Sequence, residues 1–241
     1  MNHSQQFGDR AEAGRLLASE LVHYAGYPKL LILALPRGGV PVAFEIAQAL
    51  RAPLDVFLVR KLGVPGQEEL AMGAVASGNV RILQSDVLEA FRISHSTLEA
   101  ATFQEMKEIA RRERLYRGDR PSPQVRDRTI ILVDDGLATG ATMRAAIAAL
   151  KQQHPERITV AVPVATREAC AEFESEVDEI ICLRTPTSFQ AVGLWYQRFP
   201  QLTDEEVCEL LKKAGESWAS PNSDRDTYLA GSQANHAREP R

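Results

Sequence analysis

The residues best suited to chemistry lie together in Ile130-Ile131-Leu132-Val133-Asp134-Asp135-Gly136-Leu137-Ala138-Thr139-Gly140-Ala141-Thr142. Four apolar residues deliver two adjacent carboxylates, and a turn with two glycines and two threonines runs into a helical segment. Open α/β folds take ligands at the C-terminal edge of their parallel strands. A turn placed there suits a phosphate, because N–H groups at a helix start lack partners and carry the positive end of the helix dipole. Gly136 and Gly140 permit close backbone approach, and the hydroxyls of Thr139 and Thr142 can donate to the same oxygens. The amides from Leu137 to Thr142 are expected to converge on one point. Two carboxylates would repel that phosphate, but they can accept hydrogen bonds from a diol. Phosphate loop and diol acceptor together describe a ribose 5-phosphate site. The stretch matches neither G-x-x-x-x-G-K-[ST] nor G-x-G-x-x-G.

In this order of residues the stretch resembles the phosphoribosyl pyrophosphate signature of the type I phosphoribosyltransferases: four apolar residues, two acids, then T-G-x-T. A second segment, Leu35-Pro36-Arg37-Gly38-Gly39, resembles the Leu-Lys-Gly-Gly loop of the hypoxanthine–guanine enzymes, with Arg37 in the lysine's place. That resemblance implies pyrophosphate held by the Gly38 and Gly39 amides and by Arg37, whose planar fork of donors suits phosphate oxygens. It further implies a cis or strained Pro36–Arg37 bond, with Arg37 facing the threonine loop. Arg60 and Lys61, read as closing the second strand at the same sheet edge, are the implied further cations. Asp134, Asp135, Arg37 and Lys61 are thus the expected catalytic residues. Gly136, Leu137, Ala138, Thr139, Gly140, Ala141, Thr142, Gly38, Gly39 and Arg60 are the expected binding residues. The implied reaction transfers a 5-phosphoribosyl group from phosphoribosyl pyrophosphate to a nitrogenous base with Mg²⁺, and a homodimer is compatible with the family.

The elements that must position these groups follow from periodicity. Leu30 to Leu35, Leu54 to Val59, Ile130 to Val133, Ile158 to Val162 and Glu179 to Leu183 are short apolar runs suited to buried strands. They alternate with helical segments, so the expected class is α/β, a parallel sheet of about five strands flanked by helices. The order is expected as 3-2-1-4-5, with Ile130–Val133 beside Leu30–Leu35. Residues 10–25 read as a helix capped by Asp9. Residues 61–83, rich in glycine, read as a long loop with a hairpin through Met72–Ala76. The family resemblance makes residues 62–78 a lid, in which Glu68 and Glu69 are either acid–base groups or solvated charges. Residues 84–120 form a helical insertion with many acid–base neighbours at helical spacing. A hood from about 184–200 joins the N-terminus; its Phe189, Trp195, Tyr196 and Phe199 are either a base platform or the hood's own core. Thr203 to Glu206 reads as a capping box opening a helix through Lys213. The domain is expected to end near residue 214, and 215–241 to be a disordered tail.

The chain departs from its relatives in places. Ala138 stands where the hypoxanthine–guanine enzymes carry an aspartate and resembles the adenine-specific branch instead. Trp195 replaces an aspartate that helps hold metal in the hypoxanthine type. The run Ala34-Leu-Pro-Arg-Gly-Gly-Val-Pro-Val-Ala43 resembles a bacterial group of phosphoribosyltransferase-domain proteins over about residues 7–213. The net charge of −4 argues against a nucleic-acid partner. No apolar run reaches the ~18–20 residues that span a bilayer, and the N-terminus lacks the apolar core of a signal peptide. Three unevenly spaced cysteines suit a reducing, cytoplasmic setting. A non-catalytic sensor of phosphoribosyl pyrophosphate and a hydrolase are the rival readings.

Overall fold

The computed structural model describes residues 6–118 and 120–218, apart from the side chains of Glu69 and Trp218. Its centre is a five-stranded parallel sheet of β1 (Leu30–Ala34), β2 (Leu54–Val56), β6 (Thr129–Val133), β7 (Arg157–Val164) and β8 (Glu179–Arg184). The strand order is β2-β1-β6-β7-β8. Numbered among these five strands alone, this is 2-1-3-4-5. The expected 3-2-1-4-5 is therefore corrected, while the adjacency of Ile130–Val133 to the Leu30 strand holds, with Leu31 opposite Ile130 and Ala34 opposite Val133.

The continuous apolar runs are explained by burial on both faces. Alternation along β1 sends Leu30, Ile32 and Ala34 to one core and Leu31 and Leu33 to the other. The first core is covered by α1 (Arg10–Glu20), α2 (Gly39–Leu50), α4 (His95–Arg117) and α7 (Asp204–Trp218). The second is covered by α5 (Ala141–Lys151) and α6 (Arg167–Glu174). Asp9 caps α1 by accepting from the Glu12 N–H at 2.9 Å. The Thr203 box is also present: the Thr203 hydroxyl accepts from the Glu206 amide, and the Glu206 carboxylate accepts from the Thr203 amide. The helix it opens runs on to Trp218, beyond Lys213 and beyond the expected domain limit. Residues 219–241 of the expected tail lie outside the described residues.

The glycine-rich stretch is not a loop. β3 (Val59–Val64), β4 (Gln67–Ala76) and β5 (Val80–Leu83) form a separate antiparallel sheet. Met72 and Val75 within it are fully buried. Arg60 and Lys61 therefore belong to this sheet and do not close a strand of the parallel one. Two helices, α3 (Ser85–Ala90) and α4, fill the insertion.

Candidate functional site

Asp134 and Asp135 lie directly after β6, at the C-terminal edge of the parallel sheet. Asp134 turns back on the chain and accepts the Asp135 N–H at 2.8 Å. Asp135 is held in an ion pair with Arg10, Nε to Oδ2 at 2.8 Å, both side chains being largely buried. Burial first, and then the neighbouring Asp135 charge, push the Asp134 carboxyl well above its ordinary range. Asp135 is also raised by burial, against the pull of Arg10. The pair titrates as a unit that resists carrying two charges.

The turn after the acids is anchored at both ends. The Leu137 N–H donates to the Val164 carbonyl at 2.9 Å and its carbonyl accepts from Thr166. Leu137 therefore cannot offer its amide to a ligand, which removes it from the expected set of amides. The amides of Ala138, Thr139 and Gly140 make no hydrogen bond among the described residues. Gly140 is left-handed, φ 67°, and starts α5, with Ala141 and Thr142 in its exposed first turn. Thr139 Oγ1 lies 3.5 Å from the Ala141 amide. Ala138 and Thr139 are exposed and Gly140 is buried; unpartnered N–H groups next to a helix start are the kind of group that can receive an anion.

Across the cleft, the Pro36–Arg37 peptide is cis. Gly38 packs so tightly on the acid pair that an added Cβ would fall 2.0 Å from Asp135 Oδ2. Gly39 begins α2, where a Cβ would meet the Val133 carbonyl at 2.6 Å. The Gly38–Gly39 loop and the acid pair are thus in direct contact. The cations are more dispersed than expected. Arg37 lies 3.9 Å from Asp204 at the start of α7. Arg60 pairs with Glu105 of α4 at 2.6 Å. Lys61 follows it on the opposite face of β3 and is exposed. Gly136 packs against Val192, which an added Cβ would approach to 2.6 Å.

Arg10 escaped the sequence reading, and so did the contact that Tyr196 makes with the acid pair. Arg10 is buried, and besides binding Asp135 it donates to the Pro200 carbonyl at 2.9 Å and lies 3.7 Å over the Phe199 ring. Tyr196 donates its hydroxyl to the Asp135 carbonyl at 2.6 Å. The hood that holds them is knit to the N-terminus by bonds between Phe7 and Trp195, Gln197 and Phe7, and Arg198 and Gly8. Trp195 and Tyr196 are buried with Phe7 and Val164, which gives these two aromatics to the hood's own core.

A parallel sheet with paired acids at a strand end, a turn with unpartnered amides leading into a helix and a glycine loop packed on the acids together define the site. The model of the phosphoribosyl transferase domain matches residues 5–197, and the chain belongs to that family. Proteins of Mycobacterium tuberculosis strains CDC 1551 / Oshkosh and H37Rv, provisionally named phosphoribosyl transferases, are 42% identical to it over 213 residues. The match covers 88% of this chain and 48% of theirs, so the chain spans about half the length of these relatives. The crystal structure of TT1426 from Thermus thermophilus superposes with a TM-score of 0.76 at 42% identity, covering 86% of this chain and 98% of that one.

Proposed function

We propose that this domain transfers the 5-phosphoribosyl group of phosphoribosyl pyrophosphate to a nitrogenous base and releases pyrophosphate. One observation carries the reading: two carboxylates end a buried parallel strand, and unpartnered amides leading into α5 follow within three residues. The amides of Ala138 to Gly140, with the Thr139 and Thr142 hydroxyls, would bind the 5-phosphate. Asp134 and Asp135 would accept the ribose hydroxyls. The Gly38 amide with Arg37 and Arg60 would receive the pyrophosphate; the expected Gly39 amide is taken by the Leu35 carbonyl at 3.1 Å. A displacement at the anomeric carbon passes through an oxocarbenium-like state, so the protein's work is positioning and charge stabilisation.

Mg²⁺ fits this donor set in a limited way. Among the described residues no group of three or more His, Cys, Asp or Glu side chains could hold an ion alone. The acid pair suits a hard cation whose remaining ligands are substrate and water oxygens. When bound there, the ion would offset the charge of the departing pyrophosphate. The hairpin of β3 and β4 is the element proposed to close over the donor and exclude water.

No helix among the described residues is long and apolar enough to cross a membrane, and we place the reaction in the cytoplasm. Sensing without turnover is the rival reading. The deciding experiment incubates the protein with phosphoribosyl pyrophosphate, Mg²⁺ and a panel of bases and follows pyrophosphate release. Base-dependent release is expected. Release without base would indicate hydrolysis, and tight donor binding without release would indicate a sensor.

A further inference from the structure

A small pocket opens between the Pro36–Arg37 loop, β3 and α4. Its lining includes Pro36, Val59, Arg60, Ile109, Arg112 and Thr142. Pro36 belongs to the glycine loop and Thr142 to the threonine loop, so the pocket touches both halves of the donor site. Two guanidinium groups reach it from different elements, Arg60 from β3 and Arg112 from the helical insertion. Each is balanced by an acid of α4: Arg60 by Glu105 at 2.6 Å and Arg112 by Glu108 at 2.8 Å. Only Nε of Arg112 is engaged; no hydrogen bond takes its terminal amino groups among the described residues. Arg37 meets the same helix through Asp204, which lies 3.9 Å from its guanidinium and accepts from the Tyr116 hydroxyl of α4 at 2.6 Å.

We infer that the helical insertion supplies Arg112 as a pyrophosphate-binding side chain, in the role the sequence suggested for Lys61. The inference rests on the donor-site reading above. Arg112 joins Arg60 around one pocket that the Pro36–Arg37 loop borders through Pro36, whereas Lys61 sits on the other face of its strand. The terminal amino groups of Arg112 can bind two oxygens of one anion. Glu108 holds the stem in place, and Arg111 and Arg112 depress its carboxyl to about 2, so it stays charged.

The neighbouring arginine provides the control. Arg111 pairs with the same Glu108 through two bonds but is 57% exposed, and it does not line the pocket. Inorganic pyrophosphate and phosphoribosyl pyrophosphate, each with Mg²⁺, are titrated calorimetrically into wild type, R112A, R112K and R111A. R112A is expected to weaken both ligands by about tenfold or more, R112K less, and R111A by less than about twofold. If R112A binds as wild type does, or R111A loses as much as R112A, the inference is wrong. If R112A melts far below wild type, R112Q takes its place, since it keeps most of the stem and removes the charge. Wild-type affinity in a folded R112Q would leave Arg112 only a structural role. A wild type that binds neither ligand removes the donor-site reading itself, and this inference with it.

Discussion

Asp134 and Asp135 are acids kept where two negative charges are unwelcome. Their folded pKa values lie above the ordinary 3.8, so the folded chain keeps protons that the unfolded chain releases. The associated stability is complete below the unfolded value and is lost as pH rises through the folded values. Asp134→Asn keeps the acceptor for the Asp135 N–H and removes this cost. It is expected to raise stability near neutral pH by about 1–2 kcal/mol and to flatten the fall of Tm with pH, as thermal melts from acid to neutral pH will show. Donor binding should weaken in the same variant. Asp135→Ala should weaken phosphoribosyl pyrophosphate binding by roughly 10- to 100-fold, as expected for lost hydrogen bonds to a charged acceptor; unchanged affinity in a titration would remove the diol role. Arg10→Met leaves Asp135 buried without its cation and should cost about 3 kcal/mol in urea denaturation. The acids were legible because strand, acids and turn are contiguous. Arg10 was not, because its partners lie 125 and 190 residues away. One local hint existed: an arginine at the first position of α1 opposes the helix dipole, and such a breach of local preference points to a specific tertiary partner.

Among the elements, α4 depends on a buried ion pair at its last turn. Arg117 bonds Asp55 of β2 at 2.8 Å and the Val56 carbonyl at 2.7 Å, and it also pairs with Glu113. Arg117→Met should destabilise by about 3–5 kcal/mol because Asp55 would stay buried and unpaired. The exposed Arg114→Ala should change stability by no more than about 0.5 kcal/mol, and denaturant midpoints will separate the two. The parallel strands and the caps were readable, since continuous apolar runs and the Thr203 box each have a single good physical explanation. The antiparallel sheet was misread because its glycines suggested loop. Gly73 serves close strand approach instead: a Cβ there would stand 2.4 Å from the Ile82 carbonyl. Strand order was also illegible, since apolar runs do not say which edge a crossover returns to.

For the molecule as a whole, the β3–β5 sheet packs on the body through residues such as Met72 and Val75. Any closure over the donor is therefore expected to move this sheet as a unit. Hydrogen exchange should be slow at Val75 and Ala76, which are paired on both sides, and faster at the exposed turn around Gly66. Uniformly fast exchange over 62–78 would show a disordered lid instead. The hood has a consequence for biosynthesis. Phe7 pairs with Tyr196, and Arg10 reaches the Pro200 carbonyl, so the two ends of the domain meet beside Asp135. A growing chain that has only just completed β8 at Arg184 owns all five central strands, yet it lacks the clamp on its acid pair. The clamp on Asp135 can close only once Pro200 has been made, so any capture of a ligand by the acid pair would follow completion of the five-stranded sheet.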